Sequence, residues 1–287
     1  MKTRQKIFLA NLVCQILVFI RKLFGKTESV SCKRMGINWV LDISEGIDFA
    51  IFLLGVHEKH TVATYRKLLQ KGGVAIDIGA NIGSHTLHLA DIVGERGKVV
   101  AVEPTKFAFA KLTRNLEVNP TLSARVSAIQ AMLGEDEDGT VPDTLPSSWP
   151  LDQSGDIHPL LGSSEKSTDG AILTTVDTIV EREGLDRIDL IKLDVDGFEV
   201  AVLRGAKKTL ARLKPRFVME LQEYTLRERG YSLEELVSIF RDLGYVFFDD
   251  TLQHRLPDSL DELRAMMPDG ASLNAVLLPA SDPLVTA

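Results

Sequence analysis

Residues 74 to 83 read Val-Ala-Ile-Asp-Ile-Gly-Ala-Asn-Ile-Gly, a short apolar strand running into a turn with glycines at 79 and 83 and a single acid, Asp77. Glycine has no β-carbon to hold a ligand off the main chain, and it accepts the positive φ that such turns use. The helix expected from Ser84 onward points free N–H groups at whatever anionic group lies before it. A second strand, Lys98-Val-Val-Ala-Val-Glu-Pro104, ends in Glu103, twenty positions after Gly83. At that spacing a carboxylate can accept hydrogen bonds from both hydroxyls of a ribose. The pattern predicts a ribose-containing ligand.

The loop itself separates two such ligands. A dinucleotide fingerprint requires Gly-x-Gly-x-x-Gly so that pyrophosphate can approach the helix end, whereas this run is Gly79-Ala-Asn-Ile-Gly83, with Asn81 in place of the middle glycine. Nicotinamide-dependent oxidoreduction is therefore disfavoured. Asp77-x-Gly79-x-Asn81-x-Gly83 resembles the first motif of S-adenosylmethionine methyltransferases, in which the loop wraps the methionine part of the cofactor and the second-strand acid holds the ribose. The bland alternative is a glycine-rich strand-turn-helix junction with no ligand, and Glu103 at its distance weighs against it.

A second stretch, Ile188-Asp-Leu-Ile-Lys-Leu-Asp-Val-Asp-Gly-Phe-Glu-Val-Ala-Val-Leu-Arg-Gly-Ala206, resembles the FkbM family of methyltransferases. Members carry a strand ending Ile-Lys-Ile-Asp, then Val-Glu-Gly and a helix closing on Lys-Gly-Ala. The likeness includes Glu58 and Thr61, Glu103-Pro104, Thr175, Asp177 and Glu220, and runs from about Trp39 to Leu278. It omits the N-terminal segment and the loop from about Gly134 to Gly170. Asp196, one methylene shorter, stands where the family usually has Glu. The resemblance implies an α/β, Rossmann-like, seven-stranded and mostly parallel sheet with helices on both faces and a last antiparallel strand. It also implies methyl transfer from S-adenosylmethionine to a hydroxyl of a sugar, glycolipid or polyketide-type product. Fold alone would not license that activity; the motif residues carry it.

The 287 residues suffice for one large α/β domain with an extension, and 45% apolar with 25% charged residues is ordinary for a globular chain. A formal net charge of −7 argues against nucleic acid as a partner, because backbone binding depends on neutralising phosphates with Lys and Arg. The cysteines are Cys14 and Cys32, with no Cys/His pair at zinc spacing. Neither a disulfide framework nor a zinc site is expected, and a reducing, cytoplasmic setting fits.

Residues 1–26 differ from the rest. Ile7 to Ile20 is apolar but for Asn11 and Gln15, and Lys2, Arg4, Lys6, Arg21, Lys22 and Lys26 flank it. Fourteen helical residues span ~21 Å, short of a ~30 Å hydrocarbon core. On a helical wheel Leu9, Leu12, Val13, Ile16, Leu17 and Ile20 form a wide apolar face, so the segment reads as a helix lying in a membrane interface, on the inner face of the cell membrane. Packing on the body, dimerisation as a homodimer and a short spanning anchor compete with that reading. Signal cleavage is disfavoured by the bulky, charged Phe19-Ile20-Arg21-Lys22.

Residues 27–73 are expected to hold a basic linker (21–34), a β-hairpin over 38–56 turning at Gly46, and a helix over 60–70. The methyltransferase domain is expected over 74–287. Its strands fall near 74–78, 99–103, 126–131, 188–194, 215–220, 245–249 and 274–279, and its helices over 84–94, 106–118, 197–212 and 232–243, with 258–267 a further candidate. Residues 134–173, acidic and then rich in Ser, Pro and Gly with Trp149 and His158 embedded, read as a solvated insert or as an acceptor-recognition lid with Trp149 stacking on a ring.

For cofactor binding the candidates are Glu58, on the resemblance, with Asp77, Gly79, Asn81, Gly83 and Glu103. For catalysis they are Asp194 as general base, Glu199 as the second choice, then Asp196, Lys192 and His85, since a hydroxyl acceptor must lose its proton. Lys192 and Asp194 share a strand face. Asp194, Asp196 and Glu220 supply oxygen ligands, but three acids alone do not make a metal site, and none is expected. A catalytically silent cofactor-binding module docking on a membrane or a partner enzyme is the competing function.

Overall fold

The structure is a computed structural model describing residues 3–151, 162–268 and 271–286, with side chains from Val13 to Val285. The first element, α1 (Thr3–Leu23), precedes a hairpin of β1 (Ser29–Arg34) and β2 (Ile37–Asp42), then α2 (Gly46–Leu54) and α3 (Lys59–Leu68). The hairpin lies earlier than the sequence predicted. Its register runs from Ser29 opposite Asp42 to Arg34 opposite Ile37. The turn is Met35-Gly36, both at positive φ, as two-residue hairpins require. Six residues of the expected basic linker, Ser29–Arg34, are therefore strand. Gly46 opens a helix instead, because Gly46 to Leu54 is apolar nearly throughout and closes on a left-handed Gly55.

From Val74 the chain alternates strand and helix. β3 (Val74–Ile78), α4 (Thr86–Val93), β4 (Lys98–Val102), α5 (Lys106–Glu117), α6 (Pro120–Ser123) and β5 (Val126–Ile129) form the first half. An insert follows, with β6 (Ala131–Leu133), β7 (Thr144–Ser148), β8 (Ser164–Ser167) and β9 (Ile172–Thr174). The second half is α7 (Val176–Arg182), β10 (Leu190–Leu193), α8 (Glu199–Arg204), α9 (Lys207–Leu213), β11 (Arg216–Leu221), α10 (Glu223–Glu228), α11 (Leu233–Asp242), β12 (Tyr245–Asp249), α12 (Leu260–Ala265), β13 (Leu273–Pro279) and α13 (Pro283–Thr286).

Seven strands pair in the order β12-β13-β11-β10-β3-β4-β5. Pairs among β11, β10, β3, β4 and β5 are parallel, whereas β13 runs antiparallel to both β11 and β12. This is the Rossmann-like sheet that the resemblance implied, with the last strand reversed. Alternate residues feed two cores: Ile76, Ile78, Val100, Val102, Ile191 and Leu193 on one face, Ala75, Val99, Leu190, Val218 and Val276 on the other. Burial on both faces is why these strands are almost continuously apolar. Strand order reverses between β3 and β10, and a ligand crevice forms beyond the carboxyl ends at such a point.

Two predicted elements are divided. The helix expected over 197–212 breaks at Gly205, where an added Cβ would meet the Gly134 carbonyl oxygen at 2.1 Å. The strand expected over 126–131 leaves the main sheet after Ile129, and β6 pairs with β9 instead. The insert is thus partly built, with β7 and β8 forming an antiparallel ribbon. Ser148 Oγ donates to Glu45, tying the ribbon to the segment before α2. His158 lies outside the described residues.

Cys14 is buried with Ile43 and Phe49, and Val13, Leu17 and Val18 of α1 pack against that cluster. Body packing therefore takes one side of the helix. Ile16, Phe19, Ile20 and Leu23 stay exposed on the other. The predicted positions Arg4, Leu9, Asn11 and Leu12 have side chains outside the described set. Among the described residues no helix is long and apolar enough to cross a membrane.

Candidate active site

β3 ends at Ile78, and the chain turns through Gly79 (φ 76°), Asn81 (φ 48°) and Gly83 (φ 87°) into α4. The amides of Gly79 and Ala80 both donate to the Val102 carbonyl at 3.0 Å, which binds the loop to the end of β4. A Cβ at Gly79 would sit 1.9 Å from the Asp194 carbonyl oxygen. Only glycine allows β3 and β10 to end this close together. Gly79→Ala is expected to destabilise the fold by about 3 kcal/mol or more, since a backbone clash adds to the strain of positive φ. Denaturant unfolding would read this as a lower midpoint at unchanged slope.

Glu103 is buried and locked to that loop. Its Oε2 accepts from the Asn81 amide at 3.0 Å, and its Oε1 accepts from the Thr105 amide at 2.9 Å and hydroxyl at 2.6 Å. Burial pushes its carboxyl pKa above the ordinary range, while the Thr105 and Asn81 hydrogen bonds oppose that shift. Thr105 Oγ1 lies 2.7 Å from Ser147 Oγ, and Asn81 Nδ2 donates to the Ser147 carbonyl at 3.3 Å. The insert is therefore fastened to both motifs.

Beneath the loop lies Lys192, on β10 opposite Asp77 of β3. Its buried ammonium donates to the Gly79 carbonyl at 3.0 Å and sits 3.1 Å from Asp194 Oδ2 and 3.8 Å from Asp77 Oδ1. Burial disfavours the charge, but Asp194 and Asp77 outweigh it and hold the pKa above the ordinary lysine value. Lys192 is thus a fixed cation rather than a free base. Asp77 is fully buried, accepts the Thr86 hydroxyl at 2.5 Å, and does not reach the cavity surface. Gly83 does not reach it either. An added Cβ there would meet Leu112 at 2.8 Å, so both residues support the loop from behind.

The cavity beyond these strand ends holds about 490 Å³. Gly79, Asn81, Glu103, Lys192, Asp194 and Glu58 all line it, as do His85, Trp149 and Glu220. Asp194 keeps 39% of its side chain accessible and presents one oxygen to Lys192. Glu199, in contrast, is turned into the backbone: its Oε1 accepts from the amides of Val195 at 3.2 Å and Gly197 at 3.3 Å. It braces the turn that carries Asp194 and does not line the cavity.

His85 is buried, with Nδ1 3.0 Å from the Tyr65 hydroxyl and Nε2 3.5 Å from Glu58 Oε2. Burial, aided by Lys192, drives its pKa well below the ordinary value, so the ring is neutral. Glu58 sits at φ 50° and accepts from Asn274 Nδ2 at 3.2 Å. His57, Glu58 and His85 place potential ligand atoms within 4.8 Å of one another. That trio differs from the acids Asp194, Asp196 and Glu220 that the sequence offered, and Glu58 and His85 are already engaged with Asn274, Tyr65 and each other. Tyr65, Thr105, Ser147 and Gln222 went unread in the sequence. Thr105 alone gave a signal, as a hydroxyl two residues past the ribose acid.

Burial and the charge of Asp194 raise Asp196 and Glu220 to about 8, and burial raises Glu199 to about 7. Unfolded carboxyls titrate near ~4, so between pH 6.5 and 8 the native state holds protons that the unfolded state has lost. Stability should therefore fall as pH rises through that window. Below it the buried histidines act in the opposite direction, because the unfolded state takes up protons on them. Melting temperature against pH would show the decline, and a flat or rising profile from pH 6.5 to 8 would contradict it.

The family model of the methyltransferase FkbM domain matches residues 77–247. Methyltransferase sdnD of Sordaria araneosa is 32% identical over 173 residues, 52% of this chain and 66% of that protein. The hexuronic acid methyltransferase AglP of Haloferax volcanii is 30% identical over 151 residues, 49% of this chain and 53% of that protein. The chain thus spans less than two thirds of the length of either relative. The crystal structure of a methyltransferase FkbM from Methylobacillus flagellatus aligns at a TM-score of 0.45 with 18% identity, over 79% of this chain and 49% of that one.

Proposed function

Because the chain belongs to the methyltransferase FkbM family, we propose that it is an S-adenosylmethionine-dependent O-methyltransferase acting on a hydroxyl of a sugar, glycolipid or related natural product. One observation carries this reading: Glu103 and the Gly79–Gly83 loop are hydrogen-bonded together at the wall of one cavity. The residues fit the cofactor. Gly79 brings bare main chain to the cavity, and Glu103 offers carboxylate oxygens where a ribose belongs. Glu58, Asn81 and Ser84 also line the cavity and offer polar groups for the amino-acid end.

Bound S-adenosylmethionine supplies a methyl group already made electrophilic by its sulfonium. The protein must position the acceptor and take up its proton. Asp194 is the base, accessible in the cavity and aimed by Lys192. The Lys192 ammonium, 3.1 Å from Asp194 Oδ2, sets which oxygen faces the acceptor. Trp149, on the cavity wall after β7, gives a flat apolar face for a sugar ring. The name of AglP supports a sugar acceptor. Labelled methyl transfer from S-adenosylmethionine into a panel of glycosides and glycolipids tests the proposal, and cofactor binding without consumption would favour the silent module.

The exposed stripe Ile16, Phe19, Ile20 and Leu23, beside Lys22 and Lys26, supports peripheral seating of α1 on an anionic membrane from the cytoplasmic side. The protein is expected to sediment with phosphatidylglycerol vesicles, and the Phe19→Asp/Leu23→Asp variant to lose about tenfold in that binding. Equal sedimentation of the two proteins would remove the membrane from the reading.

A further inference from the structure

The charges around the cavity select among acceptors. Five carboxyl groups line it, Glu58, Glu103, Asp194, Asp196 and Glu220, of which burial holds Asp196 and Glu220 largely protonated at neutral pH, against one ammonium, Lys192. No arginine lines it among the described residues. The nearest cations on neighbouring elements are engaged elsewhere. Lys111 pairs with buried Asp48 at 2.7 Å, Lys106 with Asp169 at 2.7 Å, Lys166 lies over the Phe107 ring, and the Arg229 guanidinium lies over the Phe198 ring, where its charge acts on Asp196.

The insert that walls the cavity through Leu145, Ser147 and Trp149 repeats the pattern independently. Over residues 134–173 it carries Glu135 to Asp138, Asp143, Asp152, Asp156, Glu165 and Asp169 against a single basic residue, Lys166. Recognition of a carboxylate, phosphate or sulfate ordinarily uses an arginine fork or a lysine aimed at the anion. Among the described lining residues no free group of that kind is present, and an anion would face Glu58, Glu103 and Asp194, where like charges in a partly desolvated cleft repel strongly. Lys192 cannot serve, since it donates to Gly79 and is paired with Asp194, with Asp77 3.8 Å away. The cofactor's net positive charge does not reverse the balance.

We infer that the acceptor is a neutral or amine-bearing polyol, and that a hexuronic acid or other anionic sugar is excluded, in contrast to the substrate class in AglP's name. This rests on the methyltransferase reading above and narrows its substrate. In a neutral acceptor the wall carboxylates accept hydrogen bonds from hydroxyls flanking the reacting one. In an amino sugar one of them also pairs with the ammonium.

The test uses the full chain, labelled S-adenosylmethionine and three matched probes: methyl glucoside, methyl glucosaminide and methyl glucuronide. The glucoside or the glucosaminide is expected to exceed the glucuronide in kcat/KM by at least about tenfold. A glucuronide methylated as well as the others would overturn the charge rule while leaving the methyltransferase reading intact. If none of the three is methylated, the sugar reading falls, and the charge rule is decided on the S-adenosylhomocysteine complex by ligand-observed NMR. Benzyl alcohol or benzylamine should then bind and benzoate should not; comparable benzoate binding overturns the inference.

Discussion

Glu103→Ala should lower the affinity for S-adenosylmethionine by at least about two orders of magnitude. A hydrogen bond to a charged group contributes roughly 1.5–3 kcal/mol, and each ~1.4 kcal/mol is tenfold in affinity. Two ribose hydroxyls on one carboxylate therefore account for a hundredfold loss or more. A second effect acts in the same direction. The carboxylate also accepts from the Asn81 amide, so its removal takes away one of the bonds that fasten the glycine loop to the end of β4. Glu103→Gln separates the two effects, because it keeps the shape and one acceptor and should lose only about tenfold. Calorimetric titration distinguishes these values, and wild-type affinity in Glu103→Ala would displace the ribose from this position.

Asp194→Asn should behave in the opposite way, keeping cofactor affinity within about twofold while turnover falls by about 10²–10⁴, the usual worth of a positioned general base. The amide is isosteric, so the Gly79 contact and the cavity shape persist. What it lacks is a site for the acceptor's proton. Lys192→Met should lose turnover as well, because it leaves Asp77 and Asp194 without their shared cation. It should also unfold more easily, and this separates it from Asp194→Asn. Normal turnover of Asp194→Asn on a true acceptor would move the base elsewhere in the cavity.

The parts of this site that were legible in the sequence are those fixed by local spacing. Gly79, Asn81, Gly83 and Glu103 could be placed because one strand-turn-helix unit and the next strand end determine where they lie. The roles of Asp77 and Glu199 could not, because both depend on which way a side chain turns in three dimensions. Asp77 faces Lys192 and Thr86 rather than the cavity, and Glu199 folds back on the amides of Val195 and Gly197. The hairpin was misplaced for a chemical reason. Met35-Gly36 lacks the Asn or Asp that marks most such turns, whereas Gly46 looked like a turn glycine and proved to start a helix. The insert's strands stayed hidden because Thr144-Leu-Pro-Ser-Ser148 and Ser164-Glu-Lys-Ser167 lack apolar alternation.

The most direct measurement is titration of the full chain with S-adenosylmethionine, S-adenosylhomocysteine and NADH in parallel. The account predicts saturable binding of the first two and none of the third, because the loop from Gly79 to Gly83 has a side chain at Asn81 where pyrophosphate would need bare backbone. Binding of NADH, or binding of neither sulfur compound, would contradict it.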